Sequence, residues 1–392
     1  MKTAIRTVCL AISFLAFACN LSSAATLYVN LQSPSPAEPY ASWATAATNI
    51  QHAIDAASPG DLVLVTNGTY ATGGKVMFGD LTNRVALDKA ITVRSVNGPY
   101  FTTIRGNGAT NGPLAVRCAW LTNGAILDGF TLTDGATRTA GDNITLRSGG
   151  GVWCASSNAV VSNCIIKSNT ASAYGSGLFA GQVRNSWVIG NEASPFIGGA
   201  IANADVVNCT VVSNQAFGVV QVFSGVSHVT NSIVYYNVQN LSAGLSAQYS
   251  CVTPLPSGVG NTATAPLLRA DGVSLFPDSP CRGMGTSVAS GVDLFGRPWA
   301  NPPSMGCVEW NPTPIFEKQP VLTFTDNPGG FTVNCTPVGQ SPLTFYWYHE
   351  GMLLTDDGRL SGTTTTNLVA RKIRPDDVGN YWMVVTCLLG IT

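Results

Sequence analysis

The nine residues VSNCIIKSN, Val161 to Asn169, recur three more times along the chain and decide how the polypeptide folds. The further copies begin at Val183, Val206 and Val229, and all four follow the pattern V-x-N-[CS]-x-[VI]-x-x-N. Successive copies are displaced by 22, 23 and 23 residues. A nearly constant step of this length is typical of structural units that stack on one another, because each unit buries its apolar face only against its neighbours.

The spacing inside the phrase predicts where each side chain lies. The valine at the first position and the valine or isoleucine at the sixth are predicted to point into the stack. Asparagine tolerates a left-handed backbone and bonds to its own main chain, so it suits the corners between short parallel strands. We therefore predict that structural asparagines superpose from turn to turn and form ladders: the inner Asn163, Asn185, Asn208 and Asn231, and the outer Asn169, Asn191, Asn214 and Asn237.

A second short strand, which opens with glycine, precedes each phrase. Examples are GGGVWC at Gly149, GSGLFAG at Gly175 and GGAIANA at Gly198. A degenerate earlier copy, ILDGFTLTDG at Ile126 to Gly135, extends the array towards the N-terminus. An antiparallel sandwich does not keep a constant step with matching corner residues, so the pattern predicts an all-β, single-stranded parallel β-helix.

The N-terminus has the features of an export signal. Lys2 and Arg6 precede the apolar run from Val8 to Ala18, and the sequence SSAA at Ser22 to Ala25 supplies small residues for cleavage. Residues 1–25 are therefore predicted to be a signal peptide of a secreted or cell-surface protein.

A short capping helix is predicted after the signal. Ile50, Ala53, Ile54 and Ala57 follow helical spacing, and the run stops at Ser58-Pro59-Gly60. We expect this helix to cover the open apolar end of the first turn, since an uncovered end exposes unpaired strand edges.

Composition excludes several classes of function. The chain has 392 residues, a formal net charge of −1 and only 10% charged residues, so it lacks the basic face that a nucleic-acid partner requires. Hydrophobic residues reach 45%, which excludes disorder. After removal of the signal, no apolar run is long enough for a transmembrane segment. His52, His228 and His349 lie far apart and form no cluster with cysteine, so neither a metal nor a cofactor is predicted.

Three stretches resemble a known family. YASWATAATNIQHAIDAASPGDLVLVTNGTYATGG, Tyr40 to Gly74, is similar to the opening of secreted right-handed parallel β-helix proteins of the pectin-lyase-like superfamily. The stretches from Tyr249 to Leu268 and from Ser279 to Trp310 resemble their closing segment, the choice-of-anchor Q domain. The resemblance implies a right-handed parallel β-helix over residues 26–310 of an exported bacterial protein. Cys251 and Cys281 lie in the matching closing stretches, and we predict that they form a disulfide.

The closing segment departs from the family pattern at two places. The family ending D-L-D-G-x-P-R has Phe295 in place of its second aspartate and Trp299 in place of its arginine, whereas Glu309 of the final motif is retained. A calcium loop at Asp293 would need several oxygen ligands, so we expect a structural turn there.

The last residues differ in character from the β-helix. Pro312 and Pro314 mark a predicted linker over residues 311–319. Residues 320–392 resemble an I-set immunoglobulin domain, because Cys335 precedes Trp347 by twelve residues. The final strand of that fold is missing, so an incomplete β-sandwich is expected, either in a fragment of a longer product or completed by another segment.

The resemblance also implies roles for particular residues of this domain. The sequence from Asp377 to Tyr381 matches the D-x-G-x-Y tyrosine corner. Met383 stands where the second cysteine is usual, so Cys335 is expected to remain a thiol, packed against Trp347. For Arg359 two alternatives stay open: an ion pair with Asp377 or a solvated side chain.

Candidate functional residues concentrate in the polar loop from Asp134 to Gly149. Asp134, Asp142 and Arg147 are the catalytic candidates, because polysaccharide-cleaving enzymes with this fold use carboxylates and arginine. The next turn carries Ser162 and Ser168 at the positions of Asp128 and Asp134, so no acidic column is expected. This favours a solvated or binding loop over a catalytic one. The binding candidates are Arg138, Tyr235 and Tyr236.

The sequence as a whole predicts a rod-like secreted or surface protein that binds an extracellular polysaccharide or a surface protein. A polysaccharide lyase or glycosidase acting near residues 134–149 and a passive stalk are the alternatives. The observation that separates them is whether Asp134, Asp142 and Arg147 converge within hydrogen-bonding distance. Neither the ligand nor the oligomeric state follows from the sequence.

Overall fold

The computed structural model describes residues 24–108, 110–193, 198–223, 225, 227–287, 291–310, 314–325, 329–338, 343–387 and 390–391. Strands hold 39% of the residues and helices 4%, so the predicted all-β class is confirmed. Residues 1–23, which include nearly all of the predicted signal peptide, lie outside the described residues.

Three long sheets make up the larger part of the fold. Sheet 1 contains Thr26–Val29, Leu62–Val65, Thr92–Ser95, Ile126–Asp128, Val160–Ser162, Gln182–Arg184, Asp205–Val207, His228–Thr230 and Ala247–Gln248. Sheet 2 contains Gly68–Tyr70, Thr102–Arg105, Thr131–Thr133, Ile165–Lys167, Trp187–Ile189, Thr210–Val212, Ile233–Tyr235 and Cys251–Val252. Sheet 3 contains Lys75–Phe78, Leu81–Leu87, Val116–Leu121, Val152–Cys154, Leu178–Phe179, Gly199–Ala202, Phe217–Val220 and Gln239–Leu241.

The chain visits the three sheets in rotation, and strands that neighbour each other in a sheet come from successive turns. They pair in parallel, except for Lys75–Phe78, which is antiparallel to Leu81–Leu87. A further parallel pair, Thr170–Ala171 and Glu192–Ala193, lies between sheets 2 and 3 in the sequence. The register superposes the repeats, and their apolar residues are fully or almost fully buried: Val161, Val183, Val206, Val229, Ile166, Val188, Val211 and Val234.

The helix Ile50–Ala56 covers the first turn of the sheets. Its apolar residues Ile50, Ala53 and Ile54 are buried, and it packs against Thr26–Val29 and Leu62–Val65 of sheet 1 and Leu81–Leu87 of sheet 3. The side chain of Gln51 pairs with the backbone of Ala86, accepting from its N–H at 2.7 Å and donating to its carbonyl at 3.3 Å. The helix therefore satisfies peptide groups of sheet 3 as well as covering the apolar interior.

The described residues of 264–287 and 291–310, which from here on we call the closing segment, pack on the outer face of sheet 2. One apolar cluster joins Leu275, Cys281 and Met305 of this segment to Val212 and Ile233 of the sheet. A neighbouring cluster joins Val273, Leu294 and Cys307 to Ile165 and the half-buried Trp187. The closing segment thus covers the later turns of sheet 2 and leaves its earlier turns open.

Two buried carboxylates organise the closing segment. Asp293 accepts hydrogen bonds from the backbone N–H groups of Phe295, Arg297 and Glu309 at 2.7–2.9 Å. Glu309 in turn accepts from the N–H and hydroxyl of Ser304 at 2.9 and 2.5 Å. Both carboxylates therefore hold turns of the closing segment through protein donors.

The structure places the two cysteines of the predicted disulfide together. Cys251 and Cys281 are fully buried and adjacent, and both are thiols in this structure, so the disulfide stays a prediction. A hydrogen bond with Cys281, followed by burial, raises the pKa of the Cys251 thiol. The two sulfurs are already in contact, so what separates this state from the disulfide is the removal of two electrons and two protons.

We expect an oxidising environment to join Cys251 to Cys281. The bond would tie the closing segment to the last strand of sheet 2 and stabilise the fold by about 3 kcal/mol. Titration of thiols in the denatured protein should find two fewer before reduction than after it. The difference should vanish in Cys251→Ser and persist in Cys335→Ser. Equal thiol counts in the wild-type protein before and after reduction would contradict the bond.

The C-terminal residues form two antiparallel sheets. One contains Ile315–Thr325, Gly330–Val338, Asn367–Arg371 and Leu360–Ser361, and the other contains Met352–Leu353, Thr344–His349, Tyr381–Cys387 and Gly390–Ile391. The strand Ile315–Thr325 begins within the range predicted as linker, and residues 311–313 of that range lie outside the described residues.

The core of this unit has the contacts that the immunoglobulin resemblance implies. Trp347 is fully buried, and the Cys335 thiol lies 3.5 Å from the Met383 sulfur. The Tyr381 hydroxyl donates to the carbonyl of Asp377 at 3.2 Å, which is the bond of a tyrosine corner. Arg359 donates to the Asp377 carboxylate at 2.9 Å, so of the two alternatives for this arginine the structure has the ion pair.

Candidate functional site

The two carboxylates predicted as catalytic candidates lie in separate local contacts. Asp134 forms an ion pair with Arg105 at 2.7 Å. Asp142 accepts from the backbone and hydroxyl of Thr145 at 2.7 and 2.8 Å, and these bonds lower the pKa of its carboxyl group against a small opposing effect of desolvation. Arg147 contacts neither of them and donates to Asn143 at 2.5 Å. The three candidates therefore do not converge.

The loop from Asp134 to Gly149 is anchored by a buried cation that the sequence analysis missed. Arg117 is 1% exposed and donates to the carbonyls of Thr145, Ser148 and Gly149 at 2.7–2.8 Å and to the Asn83 side chain at 2.9 Å. Burial lowers the pKa of this guanidinium well below its usual value. Its partners are all neutral oxygens, so Arg117 holds the loop in place through hydrogen bonds alone.

Beneath this loop, the outer face of sheet 3 carries a column of aromatic rings. Trp120 stacks on Trp153 and Trp153 on Phe179, with ring centroids 6.1 and 6.2 Å apart. The Trp153 indole N–H donates to the Ile144 carbonyl of the loop at 2.8 Å. All three aromatic residues are at most 7% exposed, so this column packs under loops and is closed to ligands.

The three binding candidates differ in accessibility. Arg138 is held by Asp80 at 3.0 Å and by the carbonyl of Gly112, and its side chain is 12% exposed. Tyr235 donates to the Ala263 carbonyl at 3.1 Å and packs against the closing segment. Only Tyr236, which is 52% exposed, presents a ring to solvent.

The outer asparagines form a continuous buried ladder. Asn169 donates to Asn191 at 3.0 Å, Asn191 to Asn214 at 3.0 Å, and Asn214 to Asn237 at 2.8 Å. The side-chain oxygens of Asn191, Asn214 and Asn237 also accept the backbone N–H of the preceding asparagine in the column, at 3.0–3.1 Å. Both kinds of bond tie each turn to the next.

The inner asparagines occupy the left-handed corner positions between sheets 1 and 2, with φ between 47° and 52°. Their side chains form a less regular column, in which Asn185 donates to Asn163 at 2.5 Å. The closing segment runs along this column. Asn231 exchanges two bonds of 2.7 Å with the backbone of Thr286, and Asn185 donates to the carbonyl of Val292 at 3.0 Å.

A cleft begins where the closing segment leaves this corner. Two adjoining cavities, of about 410 and 460 Å³, are both lined by Tyr100, and we call them together the Tyr100 groove. The inner cavity lies between residues 96–101 and residues 292–296, over Asp128 and Gly129. The outer cavity lies on the open part of sheet 2, and its lining includes Thr103, Thr131, Thr133, Lys167, Trp187 and Ile189.

Aromatic rings line the inner cavity. Tyr100 and Phe101 are 55% and 59% exposed, and the ring of Phe295 lies 5.8 Å from that of Tyr100. The Arg297 guanidinium stacks on Phe295 at 4.7 Å. Desolvation, followed by the nearby Cys307, raises the pKa of Tyr100 to about 12, so its hydroxyl stays neutral at pH 7.

The polar side of the inner cavity is an ion pair. Arg94 donates through Nε to Asp128 at 2.7 Å. The other carboxylate oxygen of Asp128 accepts from Asn163 at 2.6 Å and from Ser162 at 3.1 Å. Within the described part of the chain, the terminal nitrogens of Arg94 have no protein partner, and the side chain is 51% exposed. The cavity therefore combines apolar rings with free hydrogen-bond donors.

The function of this chain has to be inferred from the groove itself, because similarity to known proteins gives no guide. No protein-family model, curated protein or solved structure matches the chain. In the part of the chain that the structure describes, no helix has the length and apolar character needed to cross a membrane. Nor do the described residues bring together three or more His, Cys, Asp or Glu side chains that could hold a metal ion.

Sequence reasoning did not find the Tyr100 groove. One signal was present: Asn97-Gly98-Pro99-Tyr100-Phe101 lengthens a corner that in later turns is a single asparagine, and it ends in two adjacent aromatic residues. The opposite wall, Phe295, is almost 200 residues away in sequence, so no local pattern connects it with Tyr100.

Proposed function

We propose that this chain is an exported right-handed parallel β-helix protein of the pectin-lyase-like, choice-of-anchor Q type that binds an extended glycan in the Tyr100 groove. The rotation of the chain through three parallel sheets, the helix over the first turn and the closing segment on sheet 2 support the fold. The signal-like N-terminus supports export to the cell surface or the medium.

The observation that carries the binding function is the exposure of two adjacent aromatic rings in a groove of this size. Tyr100 and Phe101 are each more than half exposed, although a soluble protein normally covers such apolar area unless it serves a contact. Concave sites of about 300–1,000 Å³ that combine apolar walls with a few polar groups are typical of ligand binding. A glycan fits, because sugar rings have apolar faces for stacking and hydroxyls for Arg94 and the threonines of sheet 2.

Binding is favoured over catalysis by the contacts of the candidate residues. Asp134 and Asp142 are engaged by Arg105 and Thr145, and Arg147 lies apart from both. A glycosidase needs two carboxyl groups facing one bond, and a lyase needs a base beside the sugar that it cleaves. The passive stalk is disfavoured because the groove exposes rings that a stalk would have no reason to leave uncovered.

The groove can be tested by removing its rings. In Tyr100→Ala/Phe101→Ala, we expect the affinity for a glycan bound by the wild-type protein to fall at least tenfold, because each lost ring contact contributes on the order of 1 kcal/mol. Calorimetric titration would use neutral gluco-, manno- and xylo-oligosaccharides and acidic oligogalacturonate. Phe223→Ala is the matched control, since it removes a 69% exposed ring outside the groove.

Two results would overturn this function. One is the absence of binding to every glycan by the wild-type protein, and the other is unchanged affinity in the double variant. If the protein generates new reducing ends when it is incubated with a polysaccharide, its function is hydrolysis or elimination and not binding alone.

A further inference from the structure

We propose that the inner cavity of the Tyr100 groove is a subsite for one neutral sugar ring, recognised through two adjacent hydroxyl groups by Arg94. The inference rests on the proposed glycan-binding function and specifies its substrate class. Three independent features carry it: a gap in the corner column, the cancellation of charge around the cavity, and the free nitrogens of Arg94.

The gap lies at Gly129, the residue that takes the corner position in the turn before Asn163. Its φ of +84° is left-handed, as at the asparagine corners, but it has no side chain. A Cβ placed there would meet the Cβ of Ser95 at 3.4 Å and the Cα of Gly98 at 3.6 Å, which are ordinary contacts. The closing segment bonds to Asn231 and Asn185, and at Gly129 its residues 292–296 form only one wall of the cavity. The cavity is thus the unfilled continuation of a channel that the chain itself occupies in later turns.

The charges around the inner cavity cancel in pairs. Arg94 faces Asp128 at 2.7 Å, and Arg297 lies 3.6 Å from Asp293, whose carboxylate also accepts three backbone N–H groups. An acidic sugar would be desolvated here without an unpaired cation to compensate its charge. Lys167, the charged residue of the outer cavity, does not line the inner one. The inner cavity therefore favours a neutral ring.

The free N–H donors of Arg94 determine which groups the bound sugar ring must offer as acceptors. Its Nε is committed to Asp128, which fixes the plane of the guanidinium and leaves Nη1 and Nη2 for a ligand. A planar fork of donors pairs with two acceptors a short distance apart, and adjacent sugar hydroxyls supply such a pair. The rings of Tyr100 and Phe295 offer the apolar surface on which the sugar can stack.

Filling the gap tests the subsite with the side chain that tolerates a left-handed backbone best. Asparagine already occupies left-handed corners in this protein, so Gly129→Asn should fold normally and place its side chain in the cavity. We expect at least a tenfold loss of affinity for the neutral oligosaccharide that binds the wild type most tightly. Gly244→Asn is the matched control, because Gly244 has a φ of +80° and open space around its Cβ, and it lies outside the groove.

Replacing the guanidinium of Arg94 by an amine tests whether it recognises two adjacent hydroxyl groups. Arg94→Lys keeps the positive charge next to Asp128 but removes the two parallel donors. We expect it to lower affinity for the parent sugar about tenfold and to have less than twofold effect on an analogue that lacks one of the two hydroxyls.

The outcomes separate this inference from the proposed function. Binding of only oligogalacturonate, wild-type affinity in Gly129→Asn, or an equal loss for parent and deoxy sugars in Arg94→Lys would each overturn the neutral subsite. All three results leave the groove as a glycan site if Tyr100→Ala/Phe101→Ala still loses affinity. Failure of the wild-type protein to bind any glycan would overturn both.

Discussion

Replacing Asn191 by alanine is expected to lower the free energy of unfolding by about 4 kcal/mol, because the change leaves several buried polar groups without partners. The Asn191 side chain donates to Asn214 and to the Ile166 carbonyl at 2.9–3.0 Å, and accepts from the backbone and side chain of Asn169 at 3.0–3.1 Å. Asn191 itself is fully buried, so water cannot replace these bonds. Urea denaturation followed by circular dichroism would measure the loss.

The matched control for this prediction is Asn107→Ala. Asn107 is exposed, and within the described residues its side chain makes one hydrogen bond, to the Leu114 carbonyl at 3.1 Å. Its removal should change stability by less than about 1 kcal/mol. If both substitutions lower the free energy of unfolding by equally small amounts, the outer asparagines do not stabilise the fold through buried hydrogen bonds between turns. That result would contradict the ladder.

Replacing Arg117 by methionine is expected to cost about 4 kcal/mol and to loosen the loop at residues 134–149. Methionine keeps most of the apolar volume but leaves the carbonyls of Thr145, Ser148 and Gly149 unsatisfied in a buried place. Hydrogen exchange should therefore accelerate in the loop. The indole of Trp153, which donates to the carbonyl of Ile144, should report the change through its fluorescence.

The control for Arg117→Met is Arg184→Met. Arg184 is exposed, and among the described residues its guanidinium bonds only to the Gln182 side chain, at 2.6 Å. Its loss should change stability by less than about 0.5 kcal/mol. If both variants keep wild-type stability and loop protection, the buried guanidinium does not anchor the loop.

The part of the fold that repeats could be predicted because its physical cause is local. One valine at the first position and one apolar residue at the sixth are enough to define the buried side of each turn, as Val183 and Val188 illustrate. The helix Ile50–Ala56 could also be predicted, because Ile50 and Ile54 have the spacing of one helical face. Such features depend on neighbours within a few residues, or on the same position one turn away.

The ladder shows a limit of that reasoning. From the sequence we expected both the inner and the outer asparagines to lie at left-handed corners and to form ladders. In the structure, the inner asparagines such as Asn185 take the left-handed corner, whereas the complete ladder belongs to the outer asparagines such as Asn191. At that second corner, the left-handed residue is the one before the asparagine, as at Gly190, and the freed side chain turns inward.

The candidate site could not be read from the sequence for a different reason. Asp142 and Arg147 attract attention as charged residues in a long loop, yet their charges serve the loop itself. The groove depends on a closing segment that returns to sheet 2 and brings Phe295 beside Tyr100. Contacts of this kind are set by the path of the whole chain, and composition or periodicity near either residue carries no trace of them.

A crystal structure of the full-length protein tests the central claim most directly, because both the stacking of the turns and the groove follow from it. The account predicts one buried column in which Asn169, Asn191, Asn214 and Asn237 bond side chain to side chain, with Tyr100 facing Phe295 across an open cleft. Asparagines found on different sides of the molecule, or a Tyr100 ring buried away from Phe295, would contradict it.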